Sequence, residues 1–192
     1  MRVRIGIFVG GRGTRMGGAA KGLLALPSGE RLLDRLLAEC RAALPEASIV
    51  LVGAAEAYES FALPALADQP CGIGPIGGLA ALLLDAEQSG ATHAVALACD
   101  LPYISRALIS RLATVAPEAL AVAPRRAAIW EPLCARYAVL ALPHVRAAIS
   151  DEQRSLQKLF ARLAEHARAI SIDATEEQEL TDWDSPDDIA RR

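Results

Sequence analysis

The segment Gly10-Gly11-Arg12-Gly13-Thr14-Arg15-Met16-Gly17-Gly18-Ala19-Ala20-Lys21 carries five glycines and three cations. Glycine has no Cβ, so consecutive backbone N–H groups can close on phosphate oxygens. Arg15 offers a planar fork for a phosphate, and Lys21 a mobile point charge at the far end of the segment. Together they suit a triphosphate and the charge of a departing pyrophosphate. The pattern is not a Walker A loop, because no Gly-Lys-Ser/Thr follows. It is not the dinucleotide fingerprint either, because Met16 stands where a third glycine is needed. The plainer alternative is a solvated glycine loop between a strand and a helix. The placement of Arg15 and Lys21 argues against it.

Carboxylates supply the other half of the chemistry. Asp100 follows the apolar run His93 to Ala98 in Cys99-Asp100-Leu101-Pro102. A carboxylate at the end of a strand is a hard oxygen ligand suited to Mg²⁺, which takes one or two carboxylates plus phosphate oxygens and water. Its alternative use is to cap the helix that Ser105 opens. Thr181-Asp182-Trp183-Asp184-Ser185-Pro186 places Asp182 and Asp184 on one face if extended, within reach of the same metal. The competing role for Asp184 or Ser185 is to cap a last short helix ahead of Pro186. Asp68 opens a third segment, Asp68-Gln69-Pro70-Cys71-Gly72-Ile73-Gly74-Pro75, rich in glycine and proline. It reads equally as a ligand loop or as a tight structural turn.

These groups need a frame. Val3 to Val9 and Ser48 to Val52 read as strands, as do His93 to Ala98, Leu120 to Ala123, Pro132 to Tyr137 and Arg168 to Ile172. A further short strand ends near Asp68. Arg31 to Leu44, with leucines at 32, 33, 36, 37 and 44, reads as an amphipathic helix. Leu79 to Gln88, Ser105 to Val115, Ala138 to Ser150 and Ser155 to His166 read as helices too, and a short acidic helix covers Ala54 to Phe61. Strands alternating with helices imply a Rossmann-like α/β three-layer sandwich with a mostly parallel sheet, one domain over residues 1–192. Such sheets bind ligands beyond the carboxyl ends of their strands. That rule points to Gly10 to Lys21, Gly53, Asp68 and Asp100.

Composition narrows the function classes. Net charge is −3 with no long basic block, which argues against nucleic acid as a partner. Aromatic residues are only 4% of the chain, so the core must be aliphatic. Apolar stretches are broken by charge or proline short of a membrane span. Cys40, Cys71, Cys99 and Cys134 form no C-x-x-C pair, so reduced thiols in a cytoplasmic setting are expected rather than zinc or disulfides. The opening Arg2-Val3-Arg4-Ile5 reads as strand, not as a signal peptide. His93, His144 and His166 have no triad context, so no covalent intermediate is expected.

The glycine loop resembles the signature Gly-Gly-x-Ser-x-Arg-Met-Gly-x-Asp-Lys of nucleotidyltransferases that activate sugars and cofactors. Within them the chain is most similar to the molybdenum cofactor guanylyltransferases. Cys99-Asp100-Leu101-Pro102-Tyr103 resembles their metal-binding Cys-Asp-x-Pro-Tyr/Phe, and Asp68 to Leu79 resembles their Asp followed by Gly-Pro-Leu-Ala-Gly. Trp130-Glu131-Pro132-Leu133-Cys134-Ala135-Arg136-Tyr137 is similar to a strand on the acceptor side. Arg154-Ser155-Leu156-Gln157-Lys158 is similar to an Arg-Ser/Arg-Leu/Val segment, with Arg154 and Lys158 on one helix face. Three positions depart from the pattern: Gly13 for serine, Ala20 for aspartate and Gly53 for asparagine. Coverage runs from about Ile5 to Ile189.

The resemblance implies an enzyme that joins GMP from GTP to molybdopterin and releases pyrophosphate, in molybdenum cofactor biosynthesis. Phe8, Val9, Gly10, Gly11, Lys21, Asp68 and Asp100 would hold the nucleotide, and Arg15, Lys21 and Asp100 would act in catalysis. Mg²⁺ would sit on Asp100, with Asp182 or Asp184 as a second carboxylate, and Arg154 and Lys158 would receive the acceptor. Transient contact with molybdoenzymes or other cofactor-biosynthesis proteins would follow; nucleic acid and membrane would not. The rival readings are a cytidylyl- or sugar-nucleotide transferase, a non-catalytic nucleotide carrier, and a chaperone for molybdoenzymes.

Overall fold

In the central strands alternate side chains point to opposite faces. In β1 (Val3–Phe8), Ile5 and Ile7 face one layer and Gly6 and Phe8 the other. In β2 (Ser48–Val52), Ile49 and Leu51 share the first face with Ile5, while Val50 and Val52 join Phe8. β4 (His93–Ala98) repeats the pattern with Val95 and Leu97 against Ala94 and Ala96. A sheet apolar on both faces must be covered on both. The computed structural model, which describes residues 1–10 and 20–183, shows how.

One layer holds α1 (Leu32–Ala43) and α3 (Arg106–Thr114). The other holds α2 (Pro75–Gln88), α4 (Leu142–Ser150) and α5 (Leu156–Leu163). Small residues on the α2 side let that helix lie close. A Cβ on Gly6 would fall 2.5 Å from a Leu82 methyl. The alanine-rich, aromatic-poor composition is thus a packing choice: short strand side chains, with leucines on the helices filling the gap.

The remaining strands are β3 (Ala65–Leu66), β5 (Ala121–Arg126), β6 (Ile129–Trp130), β7 (Cys134–Ala138) and β8 (Ala167–Ile170). Sheet order is β3-β2-β1-β4-β7-β5, with β6 and β8 both paired to β5. The pairs β3–β2, β2–β1, β1–β4 and β5–β8 are parallel. β7 runs against β4 and β5, and β6 against β5. The sheet is therefore mostly parallel, as expected, with the reversed strand β7 inserted between β4 and β5.

Buried Arg136, on β7, donates to the carbonyls of Ala113 and Ala116 at 3.2 and 2.6 Å. It closes the negative end of α3, which explains a charge in the core. Ser105 caps the other end of that helix, accepting from Leu108 N–H at 3.2 Å. α2 starts four residues earlier than its leucines suggest, at Pro75, and Gly90 follows it with φ +71°. β6 and α6 (Ala174–Glu179) were not anticipated; a two-sided box between Asp173 and Glu176 caps α6. No helix among the described residues is long and apolar enough to cross a membrane. The expected final helix at Ser185 lies outside them.

Candidate functional site

From β1 the chain moves outward through β2 to β3, then returns through α2 to lay β4 on the other flank of β1. The connections leave opposite sides of the sheet there, so the carboxyl ends of β1 and β4 open a crevice. A cavity of about 260 Å³ occupies it, lined by Phe8, Val9, Gly10, Lys21, Tyr58 and Asp100 among others. Val9 N–H bonds Val52 C=O at 3.0 Å, and Cys99 N–H bonds Phe8 C=O at 3.1 Å, so the strand ends stay in register up to the rim.

Within this cavity Lys21 Nζ meets Asp100 Oδ2 at 2.7 Å, both side chains about four-fifths buried. Residues 79 positions apart in sequence thus converge. Lys21 opens a short 3₁₀ turn, Lys21–Leu23. The turn is held by Tyr58, from a second 3₁₀ turn at Glu56–Phe61, where a short acidic helix over Ala54 to Phe61 was expected. Gly22 N–H donates to the Tyr58 hydroxyl at 3.2 Å, and a Cβ on Gly22 would lie 2.9 Å from the Tyr58 ring. Burial pushes the Tyr58 phenol up to about 12. Burial and the neighbouring Asp100 charge push the Cys99 thiol up to about 12 as well. Both stay protonated at neutral pH, so the site holds no activated thiolate.

The crevice continues to either side. Towards β2 and β3 a cavity of about 580 Å³ shares Ala54, Glu56 and Tyr58 with the first and adds Gly53 and Asp68. Burial raises the Asp68 carboxyl above its ordinary value of 3.8. Gly78, in the first turn of α2, lets the helix reach this wall. A Cβ there would sit 2.8 Å from Phe8 and Val52 and 3.0 Å from Asp68 Oδ1. Gly53 has φ +101°, and a Cβ on it would lie 2.8 Å from Gly10 Cα. The chain beyond two neighbouring parallel strands comes close together at these glycines, which is why the asparagine of the pattern has no room on this backbone.

Towards β7 a third cavity, about 260 Å³, shares Ala98, Asp100 and Leu133 with the first and adds Arg126, Glu131 and Asp182. The segment carrying Asp182 is pinned at its next residue. Trp183 is 1% exposed, donates its N–H to Asp100 C=O at 3.0 Å, and meets Tyr103 edge-on at 6.3 Å.

Of the residues singled out in the sequence, Phe8, Val9, Gly10, Lys21 and Asp100 line one cavity, with Asp68 and Asp182 in its two extensions. Gly11, Arg15 and Asp184 lie outside the described residues. Arg154 and Lys158 are exposed around the start of α5 and are not among the described residues lining these three cavities. Gln157 between them does something else: its amide bonds both Trp130 N–H and Trp130 C=O, at 3.1 and 2.7 Å. Tyr58, Arg126 and Trp183 were missed. The strand-end rule points towards Tyr58, which lies six residues beyond the end of β2; nothing local marks Arg126.

For a metal the donor set is suitable. Asp100 and Asp182 are hard oxygen donors lining the same cavity. No cluster of three or more His, Cys, Asp or Glu side chains poised for a metal is found among the described residues. One or two carboxylates completed by substrate phosphates is what Mg²⁺ favours over an all-protein cage.

Comparison with known proteins agrees with the geometry. The model of the MobA-like NTP transferase domain matches residues 5–168. The molybdenum cofactor guanylyltransferase of Rhodobacter capsulatus is 33% identical, over all of this chain and 95% of its own length. The probable molybdenum cofactor guanylyltransferase of Opitutus terrae is 29% identical over 96% of this chain and 92% of its own. Among solved structures, molybdopterin-guanine dinucleotide biosynthesis protein A from Archaeoglobus fulgidus shares the fold at a TM-score of 0.77 and 22% identity, covering 98% of this chain and 95% of its own. With a switch-point crevice, a lysine–aspartate pair at its centre and these likenesses, the chain belongs to the MobA-like NTP transferase family.

Proposed function

We propose that this protein transfers GMP from GTP to molybdopterin and releases pyrophosphate. The observation that carries the reading is the convergence of Lys21 and Asp100 at the switch point, at 2.7 Å, in a cavity walled by Phe8, Val9 and Gly10. Relatives named molybdenum cofactor guanylyltransferase match nearly the whole chain, which supports it.

In this reading each part of the reaction lies along the crevice. The nucleoside occupies the larger cavity beside Gly53 and Asp68, where the Asp68 carboxylate can accept from base or ribose donors. The phosphates lie at the ends of β1 and β4 beside Lys21. Arg15 and Gly11, which lie outside the described residues, are assigned from the sequence alone to the charge and N–H groups that a pyrophosphate needs. Asp100, with Asp182 or Asp184 as the second carboxylate, would hold Mg²⁺, which would supply charge neutralisation for the phosphates. Lys21 releases Asp100 when phosphate arrives and stabilises the leaving group. The acceptor's terminal phosphate is a nucleophile at neutral pH, so the chain needs no general base. Its role is to align attack on the α-phosphorus and exclude competing water.

A thermal-shift screen of GTP, CTP, ATP and UTP with Mg²⁺ tests the base, followed by pyrophosphate release with molybdopterin. At about 100-fold over Kd, GTP should add about 2.7 kcal/mol, which is about 5–10 °C for a chain of this length. A larger shift with CTP moves the protein to the cytidylyl branch. GTP binding without pyrophosphate release would mark a carrier.

A further inference from the structure

The three cavities lie in order along the sheet edge: β2/β3 with Asp68, β1/β4 with Lys21, and β4/β7 with Arg126 and Glu131. Asp100 is shared by the last two. Displacement at phosphorus requires the entering and leaving oxygens roughly in line. Lys21 marks the leaving side, so the entering phosphate comes from the β4/β7 cavity. That cavity is acidic, with Asp100, Glu131 and Asp182 on its walls. An anion enters it only against a fixed positive charge, and Arg126 is the cation among its described lining residues.

The hairpin of β5 and β6 is built to hold that guanidinium still. Arg126 pairs with Ile129 across the turn. Its Nε and Nη2 both meet Glu131 Oε1, at 2.7 and 2.5 Å. Glu131 is fixed in turn by its own N–H on Pro124 C=O at 3.0 Å. The other strand is held by Gln157 on the Trp130 backbone, and the Trp130 ring stacks on Phe160 at 4.5 Å. Burial raises the Glu131 carboxyl above its ordinary value, the Arg126 contact opposes that shift, and the Asp182 charge adds to it. The contact uses one side of the fork; the Nη1 edge takes no part in it. A planar fork bound on one edge and open on another is an oriented phosphate donor.

We propose that Arg126, oriented by Glu131, receives the phosphate of the acceptor in the β4/β7 cavity. This rests on the guanylyl-transfer reading and gives the acceptor a site distinct from the exposed Arg154 and Lys158. In the transfer an oxygen of the acceptor phosphate bonds to the α-phosphorus of GTP. The α–β phosphoanhydride bond breaks, and its electron pair leaves with pyrophosphate. Arg126 holds the entering phosphate throughout and exchanges no proton.

Equilibrium binding of molybdopterin and of GTP, each measured separately, together with pyrophosphate release, tests this on wild type, Arg126→Ala, Arg126→Lys and Glu131→Gln. Arg126→Ala should weaken molybdopterin binding and raise its KM about 10- to 100-fold, with GTP binding within about twofold of wild type. Arg126→Lys should recover part of the loss, and Glu131→Gln, which keeps the shape and the cation, should raise the same KM less. Unchanged molybdopterin binding in Arg126→Ala overturns the assignment, as does an equal loss for GTP. Wild type that binds both ligands without turnover sinks the transfer reading alone, because the binding arm still judges Arg126. Wild type that binds no molybdopterin overturns both.

Discussion

Replacing Asp100 by asparagine should change GTP binding in opposite directions with and without Mg²⁺. The Lys21–Asp100 contact is 2.7 Å long, between side chains 20% and 17% exposed. A charge-assisted hydrogen bond nets about 1.5–3 kcal/mol, and residual solvent access puts this one at about 1–2 kcal/mol. Metal-free GTP must open that pair to reach the ammonium and must set its phosphates beside a carboxylate. Asp100→Asn removes the competitor and the repulsion together. GTP should then bind about 5- to 30-fold tighter in EDTA, since each 1.4 kcal/mol is tenfold. With Mg²⁺ the amide cannot replace the carboxylate, so binding should weaken and pyrophosphate release fall by about 10²–10³ or more. Titration calorimetry in EDTA and in Mg²⁺ reads both arms on one preparation. The Trp183 N–H bond to residue 100 uses the backbone carbonyl, so the substitution leaves that anchor in place. Lys21→Met should weaken GTP in both buffers. If Asp100→Asn leaves metal-free binding unchanged or weaker, the pair does not restrain Lys21 and the reasoning fails.

Two further substitutions probe the walls of the crevice. Tyr58→Phe leaves the buried Gly22 N–H without its 3.2 Å acceptor, so it should cost about 1–2 kcal/mol in thermal denaturation and lower kcat/KM for GTP as the Lys21 turn loosens; an unchanged Tm and kcat/KM would show that the hydroxyl does not hold the turn. Asp68 is raised by burial, so its folded form binds a proton more readily than its unfolded form. Its ionised carboxylate therefore destabilises the fold above the raised value, and the penalty disappears as pH falls through the ordinary 3.8. Asp68→Asn should raise Tm near pH 7, flatten the dependence in that acid window, and weaken GTP; equal Tm gains at pH 3 and pH 7 would rule out this cause.

Much of the site was legible because a parallel sheet converts order into position. Once β1 and β4 are strands, the residues following them meet at one edge. Lys21 and Asp100 were accordingly foreseeable as neighbours without any coordinates. Helix α1 was marked by its leucine spacing, and α3 by Ser105. The chain gave weaker notice of α2, because Pro75 to Gly78 looks like loop until Gly77 and Gly78 are seen packing against Pro70, Asp68 and Phe8. A two-residue strand such as β6 carries too little pattern to stand out, although its hydrogen bonds to Gln157 tie it to α5.

What the amino-acid order determined alone was the alternation of apolar segments, the glycines and cations after β1, and the carboxylate after β4. These depend on local spacing, which a chain carries with it unfolded. Tertiary structure decided the reversed β7, the close approach of Gly10 and Gly53, the clamp of Tyr58 on Gly22, and the arrival of Arg126, Glu131 and Asp182 in one cavity with Asp100. Those contacts join residues tens of positions apart, and only the buried sheet and its two helical layers bring them within hydrogen-bonding range.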